Sequence, residues 1–212
     1  MHVTLDAQPV GLFLDALASR APTPGGGSVA ALSGAMAAGL VSMVCALTIG
    51  KKQYAALEEE VRATQERAEA LRHELQILAQ QDIEVFGRLA VAYKLPRITD
   101  ADAASRQAAI QQVTHQAAVV PLRTALASAA VLPLCTALAA HVGRLIVSDL
   151  GVAALLARAS VQSAVLNIEI NLAGLEDQRF VRETRAQIAD LTIGLGEETE
   201  GIVAIVRGRI NQ

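Results

Sequence analysis

The sequence predicts an all-α fold: a single-domain, up-and-down-like helical bundle over residues 1–212, built on one long heptad-patterned helix and assembling as an oligomer. Three observations predict it. Hydrophobic residues make up 52% of the chain and mean hydropathy is +0.38, yet aromatics are only 2% and Trp is absent. The core must therefore be built from Ala, Leu and Val, small side chains that let helices approach closely. From Leu57 a seam runs through Val61, Thr64, Ala68, Leu71, Leu75, Leu78, Asp82, Val85, Leu89 and Ala92 in alternating steps of four and three, the a/d spacing of a coiled coil. Finally, Val29 to Gly50 carries no charge and is long enough to cross a bilayer. Ala, Gly and Ser dominate it, no Trp/Tyr belt flanks it and a strongly charged helix follows, so the expectation is a buried helix and no membrane. A helix apolar all round needs cover on every side, which 212 residues supply poorly without a second subunit.

The elements follow in order. Val10 to Ser19 reads as a short amphipathic helix ending before Pro22. Pro22-Thr23-Pro24-Gly25-Gly26-Gly27-Ser28 reads as a rigid loop: the prolines bar a helix, the glycines free the backbone, and Ser28 is a good N-cap for a helix reaching Ile49. Exposed N–H groups there would attract an anion or a polar ring edge. The same residues would also suit a tight turn between closely packed helices. In the long heptad helix, Glu58 to Glu74 place their charges on the outer faces, a solvated surface. Lys94-Leu95-Pro96-Arg97 ends it, and Thr99-Asp100-Ala101-Asp102 caps the next, which runs to about Leu132 with Pro121 and Pro133 expected to kink or divide it. After His141-Val142-Gly143, Ser148-Asp149 signals the start of an apolar helix to Leu172. Asp177 to Arg209 is a last amphipathic helix, interrupted near Gly194-Leu195-Gly196.

Several function classes are disfavoured. A net charge of −3 with few aromatics offers neither a basic stripe nor a stacking platform for nucleic acid. Cys45 and Cys135 sit in apolar helical context without CxxC or His-Cys clustering and read as reduced core residues; no basic n-region with an apolar stretch opens the chain, and a cytoplasmic location is expected. His2, His73, His115 and His141 lack metal-ligand spacing, so no metal is expected. His115 reads as a tolerated helical histidine rather than an acid/base. No GxGxxG, Walker or GxSxG motif occurs.

Polar residues in apolar places are the candidates for chemistry. Asp82 takes a seam position between Leu78 and Val85, and a buried carboxylate must be paired, protonated or used. Either a structural pair with Arg or Lys from another helix or a site carboxylate would satisfy that. Asp149 opens its helix and suits the helix dipole. Ser160, Ser163, Asn167 and Asn171 form a narrow polar stripe, serving interhelical hydrogen bonds or a ligand. Eighteen residues separate Asp149 from Asn167, roughly 27 Å along a helix, so both cannot touch one reacting carbon; they would serve opposite ends of a long ligand, or sites completed by another subunit.

Ala21 to Ser28, the small-residue helix ending Leu47-Thr48-Ile49-Gly50-Lys51-Lys52-Gln53-Tyr54, Ser148-Asp149-Leu150-Gly151-Val152-Ala153-Ala154-Leu155-Leu156 and Leu166-Asn167-Ile168-Glu169-Ile170-Asn171-Leu172 together resemble the formimidoyltetrahydrofolate cyclodeaminase / methenyltetrahydrofolate cyclohydrolase family. The blocks span essentially the whole chain in the expected order. The resemblance implies a helical homodimer acting on a one-carbon tetrahydrofolate, which is substrate rather than cofactor. It carries the family's proline-glycine loop to Pro24, Gly25, Gly26, Gly27 and Ser28, its lysine pair to Lys51 and Lys52 beside Tyr54, its helix aspartate to Asp82, and its Ser-Asp and Asn-rich blocks to Ser148, Asp149, Asn167 and Asn171. Two departures are Gln53, where many relatives have a third lysine, and Arg144, where many have Asn. On this reading Asp82 activates water, Lys51 assists proton return, and Lys52 with Arg144 or Arg97 holds the glutamate tail. The single-domain architecture favours the cyclohydrolase reaction; the ammonia-releasing cyclodeaminase is the alternative, and an inactive helical assembly module a third.

Overall fold

The computed structural model describes Leu5 and residues 8–211, and His2 lies outside the described residues. Among the described residues eight α-helices follow one another: α1 (Val10–Leu17), α2 (Gly26–Thr48), α3 (Glu58–Tyr93), α4 (Asp100–Ala129), α5 (Leu132–Ala139), α6 (Val147–Leu172), α7 (Gln178–Thr192) and α8 (Leu195–Ile210), with a 3₁₀ turn at Lys52–Leu57. No strand occurs among the described residues. Four long helices form a ring in which α2 and α4 each pack against both α3 and α6. Neighbours run antiparallel, as the cross-contacts require: the start of α2 meets the end of α6, and Glu74 of α3 pairs with Arg123 of α4. The expected up-and-down bundle is therefore realised, with α5 and α8 closing against α6.

The heptad seam supplies one wall of the core. Val61, Thr64, Ala68, Leu71, Leu75, Leu78, Val85 and Ala92 are all buried, with Leu75 and Leu78 wholly so. Facing them, α2 buries Ala31, Ala37, Ala38, Val41 and Val44. Small side chains here let whole helices come close, and Gly34 marks one tight crossing: a Cβ there would overlap Ser128 Oγ and lie 3.0 Å from Ser160 Oγ.

Side-chain capping explains the starts of α4 and α7. Thr99 accepts from the Asp102 N–H at 3.1 Å while Asp102 accepts from the Thr99 N–H, a reciprocal box, and Asp177 caps α7 through the N–H groups of Arg179 and Phe180. The expected final helix is split at Gly194, whose φ of 72° is left-handed.

Three boundaries correct the sequence reading. Ser28 is not the N-cap of α2. Gly25 is, in extended conformation, and Ser28 sits in the first turn, its Oγ accepting from the Gly25 N–H at 3.1 Å and donating to the Gly25 carbonyl at 2.9 Å. Likewise α6 starts at Val147 with Ile146 as its cap, so Ser148 and Asp149 lie inside the first turn and neither side chain caps it. Lastly, Pro121 neither ends nor divides α4; the break comes at residues 130–131, and Pro133 falls in the first turn of α5, where its missing N–H costs little. Pro121 removes the N–H that would bond the carbonyl of Ala117, four residues back. Asn171 of α6 repairs this, its Nδ2 donating to the Ala117 carbonyl at 2.9 Å. An exposed helix would have paid for that proline; this one is mended by its neighbour.

Candidate active site

At one end of the ring the start of α2, the C-terminal half of α3 and the end of α6 converge. Gly27 lies so close to Asp82 that a Cβ would overlap the carboxylate. That approach sets the carboxylate beside the Ser28 backbone N–H, which pulls its pKa down. Gly25 has no side chain with which to cap α2, and the Asp82 carboxylate faces that turn from another helix. Asn167 completes the cluster: its amide packs on Gly26, where a Cβ would lie 3.4 Å from Oδ1, while its Nδ2 donates to the Ser163 carbonyl at 2.8 Å. The cis Thr23–Pro24 peptide leads the loop into this corner.

Two opposed influences act on Asp82. Burial, the larger, pushes its pKa above the ordinary carboxylate value of 3.8, and the Ser28 N–H pulls it down. Of the two readings left open by the sequence, the structural pair with Arg or Lys is not seen: no ion pair among the described residues includes Asp82. A desolvated carboxylate without a cation, set beside one N–H and reached past Gly26, is a base stronger than an ordinary aspartate and an attractive neighbour for a cationic ligand. On α3, Thr23, Gln80, Ile83, Glu84, Gly87 and Arg88 contribute to an open groove of about 970 Å³ whose lining does not include Asp82 itself. No cluster of three or more His, Cys, Asp or Glu side chains suited to a metal occurs among the described residues.

The remaining candidates lie elsewhere. Lys51, Lys52 and Tyr54 follow the far end of α2, Tyr54 packing its hydroxyl against Gly143 beside Arg144, and Ser148 and Asp149 open α6 at that same end. Twenty-two residues of helix separate Gly26 from Thr48, about 33 Å. Lys51 therefore cannot exchange a proton with Asp82 of its own chain, which corrects the pairing expected from the sequence. Asn171 spends its amide nitrogen on the Ala117 and Asn167 carbonyls and so mends α4.

The same sequence blocks recur in known proteins. The family model described as formiminotransferase-cyclodeaminase matches residues 9–190. The chain belongs to this family. The methenyltetrahydrofolate cyclohydrolase of Methylorubrum extorquens is 41% identical over 199 residues, covering 94% of this chain and 96% of that protein. The formimidoyltransferase-cyclodeaminase of Sus scrofa is 34% identical over 203 residues, covering 96% of this chain but 37% of its own. This chain thus spans little more than a third of such animal members. Among solved structures, the formiminotetrahydrofolate cyclodeaminase of Thermotoga maritima superposes with a TM-score of 0.79 at 29% identity over 98% of both chains.

Seen as a family member, the chain divides its blocks between two poles. Gly25 to Ser28, Asp82 and Asn167 meet at one; the lysine pair, Tyr54, Arg144, Ser148 and Asp149 gather at the other. Between the poles, α2 and α6 expose an apolar face carrying Met36, Met43, Leu47, Val152, Leu155, Leu166 and Ile170. By length and composition three helical stretches, Gly26–Thr48, Asp100–Ala139 and Val147–Leu172, could cross a membrane, although more than half of the apolar window of the first is buried within the bundle. Sequence reasoning missed Ser128, buried and bonded to Ser160 at 2.7 Å, and the groove on α3, whose Gly87 and Arg88 sit on a helix face that reads as plain solvated surface.

Proposed function

We propose that the protein hydrolyses 5,10-methenyltetrahydrofolate to 10-formyltetrahydrofolate, with Asp82 as general base. The observation that carries this is the partly buried Asp82 carboxylate, in no ion pair among the described residues and set closely against Gly27 at the start of α2. The substrate carbon bridging the two folate nitrogens is part of a cation, and a partly buried carboxylate favours it electrostatically. Asp82 accepts a proton from water as the water oxygen bonds to that carbon, giving a neutral tetrahedral adduct. The adduct collapses as its hydroxyl proton leaves, the carbon–N5 bond breaks and N5 takes up a proton. The products are the 10-formyl compound and one released proton. Asn167, with its amide oxygen beside Gly26, is placed to hold the water. The groove along α3 has the volume of a small-molecule site.

Cyclodeamination passes through a similar tetrahedral carbon, and the animal and Thermotoga relatives carry that name. The cyclohydrolase reading is favoured because the relative of that name is the more similar and matches this chain along nearly its full length. One assay decides between them. Purified protein should accelerate the loss of methenyltetrahydrofolate absorbance above spontaneous hydrolysis and release no ammonia from formimidoyltetrahydrofolate; ammonia with accumulating methenyl product would replace the reading by the lyase.

The working unit in this proposal is a cytoplasmic homodimer, with no nucleic acid or membrane as partner. The exposed apolar face on α2 and α6 supports it, as do two poles too far apart to cooperate within one chain. A two-fold partner packed antiparallel on that face would bring its lysine pole to the Asp82 pole of the first subunit. Subunit mixing tests this. Asp82→Asn and Lys51→Ala, each inactive alone, should regain up to about a quarter of wild-type activity when unfolded and refolded together, because half the dimers then hold one intact site of two. No recovery, with mixed dimers shown to form, would place both residues in sites of a single chain.

A further inference from the structure

Ser160, the first member of the polar stripe on α6, is wholly buried. Its hydroxyl behaves unlike most of its kind in this fold. Thr48, Thr64, Thr124 and Thr199 each donate back to the carbonyl four residues earlier in their own helix. Ser160 instead crosses to α2 and donates to the Ala30 carbonyl at 2.6 Å, while its oxygen lies 2.7 Å from Ser128 Oγ of α4. Gly34 clears the space, since any Cβ there would overlap the Ser128 hydroxyl. Three helices are thus tied at one buried point, and Ala30 is two residues from the Ser28 whose N–H meets Asp82.

We propose that Ser160 is a positioning residue for Asp82: the Ser128–Ser160–Ala30 chain fixes the start of α2 on α6 and α4, and so sets the height at which Gly27 and Ser28 meet the Asp82 carboxylate. This rests on the reading of Asp82 as the base. Helix packing by small side chains alone leaves sliding along the axis weakly resisted; a directional hydrogen bond to a carbonyl near the start of α2 resists it. Displacements of about 1 Å at a reacting group cost up to ~100-fold in rate, so a tie at this point has catalytic weight. No ion pair among the described residues involves Asp82, and the backbone at Gly27 is its close neighbour from α2.

The test compares Ser160→Ala with Val161→Ala, its wholly buried neighbour on α6, which opens a cavity without touching the tie. Ser160→Ala should lower kcat about tenfold with KM unchanged. It should also move the acid limb of the kcat profile to higher pH and speed hydrogen exchange at the Ser28 amide. Val161→Ala should lower the melting temperature yet keep kcat, the limb and the exchange rate of the parent. Ser128→Ala combined with Ser160→Ala should be no slower than Ser160→Ala alone, as expected for one chain of bonds. If Ser160→Ala lowers only the melting temperature, or Val161→Ala reproduces its kinetics, the positioning role is overturned. Asp82→Asn run in parallel separates the two readings: its retained activity would overturn the base assignment, and with it the tie's purpose, whereas an inactive Asp82→Asn beside a kinetically normal Ser160→Ala overturns the tie alone.

Discussion

Asp82→Asn is expected to lower kcat by about 10²–10⁴-fold while the protein folds normally and binds reduced folate with little change. Asn keeps an oxygen for the Ser28 N–H and loses only basicity and charge. Its effect on stability should have the opposite sign to its effect on rate. Burial raises the pKa of Asp82 in the folded state. A carboxylate shifted upward contributes stability that is fully present below its unfolded value near 3.8 and is lost as pH rises through the folded value. At pH 7 to 8 the parent therefore bears the cost of an ionised, desolvated group and the Asn variant does not. Thermal melts should show the variant equal to or above the parent at pH 7 to 8, with any advantage shrinking towards pH 4. A variant that melts well below the parent at neutral pH would show the charge to be a net structural support, and undiminished turnover would remove Asp82 from the chemistry.

Gly27→Ala should be the most damaging single methyl in the molecule. The added Cβ would occupy the space of the Asp82 carboxylate, and an aspartate side chain is too short to swing aside without losing the Ser28 N–H. Overpacking of this kind costs about 1–3 kcal/mol, and kcat/KM should fall at least tenfold because the base itself is displaced. Gly208→Ala, in α8 with open space around it, should be neutral or stabilising by up to ~1 kcal/mol. Asp82→Ala should restore the melting temperature of Gly27→Ala without restoring activity. Should Gly27→Ala match the parent in both stability and rate, the close approach of α2 to Asp82 would be disproved.

What could be read from the sequence was what repeats locally. The four-and-three spacing placed the seam of α3, and Asp82 stood out because it broke the apolar pattern. Thr99 and Asp102 announced the start of α4 because capping acts within four residues. The count from Asp149 to Asn167 separated the two poles before any coordinates did. What remained hidden depends on partners far along the chain. Nothing near Gly27 distinguishes it from Gly25 or Gly26, since its neighbour is Asp82, fifty-five positions on. Ser28 resembled a cap because the carboxylate that faces that turn lies on α3. Lys51 and Asp82 look like members of one site in a motif, and only the direction of the helices shows that a single chain holds them apart.

The mend between Pro121 and Asn171 bears on how the sequence can drift over generations. Loss of Asn171 first would strand the Ala117 carbonyl, whereas replacement of Pro121 first would restore an ordinary helical bond and make the amide dispensable. The route out of this pair therefore has a preferred order, proline before asparagine. The route in runs the other way, with the amide already in place before the ring arrives. Two positions fifty residues apart are in this sense inherited as one character, and a lineage that has discarded the proline is free to spend Asn171 on something else.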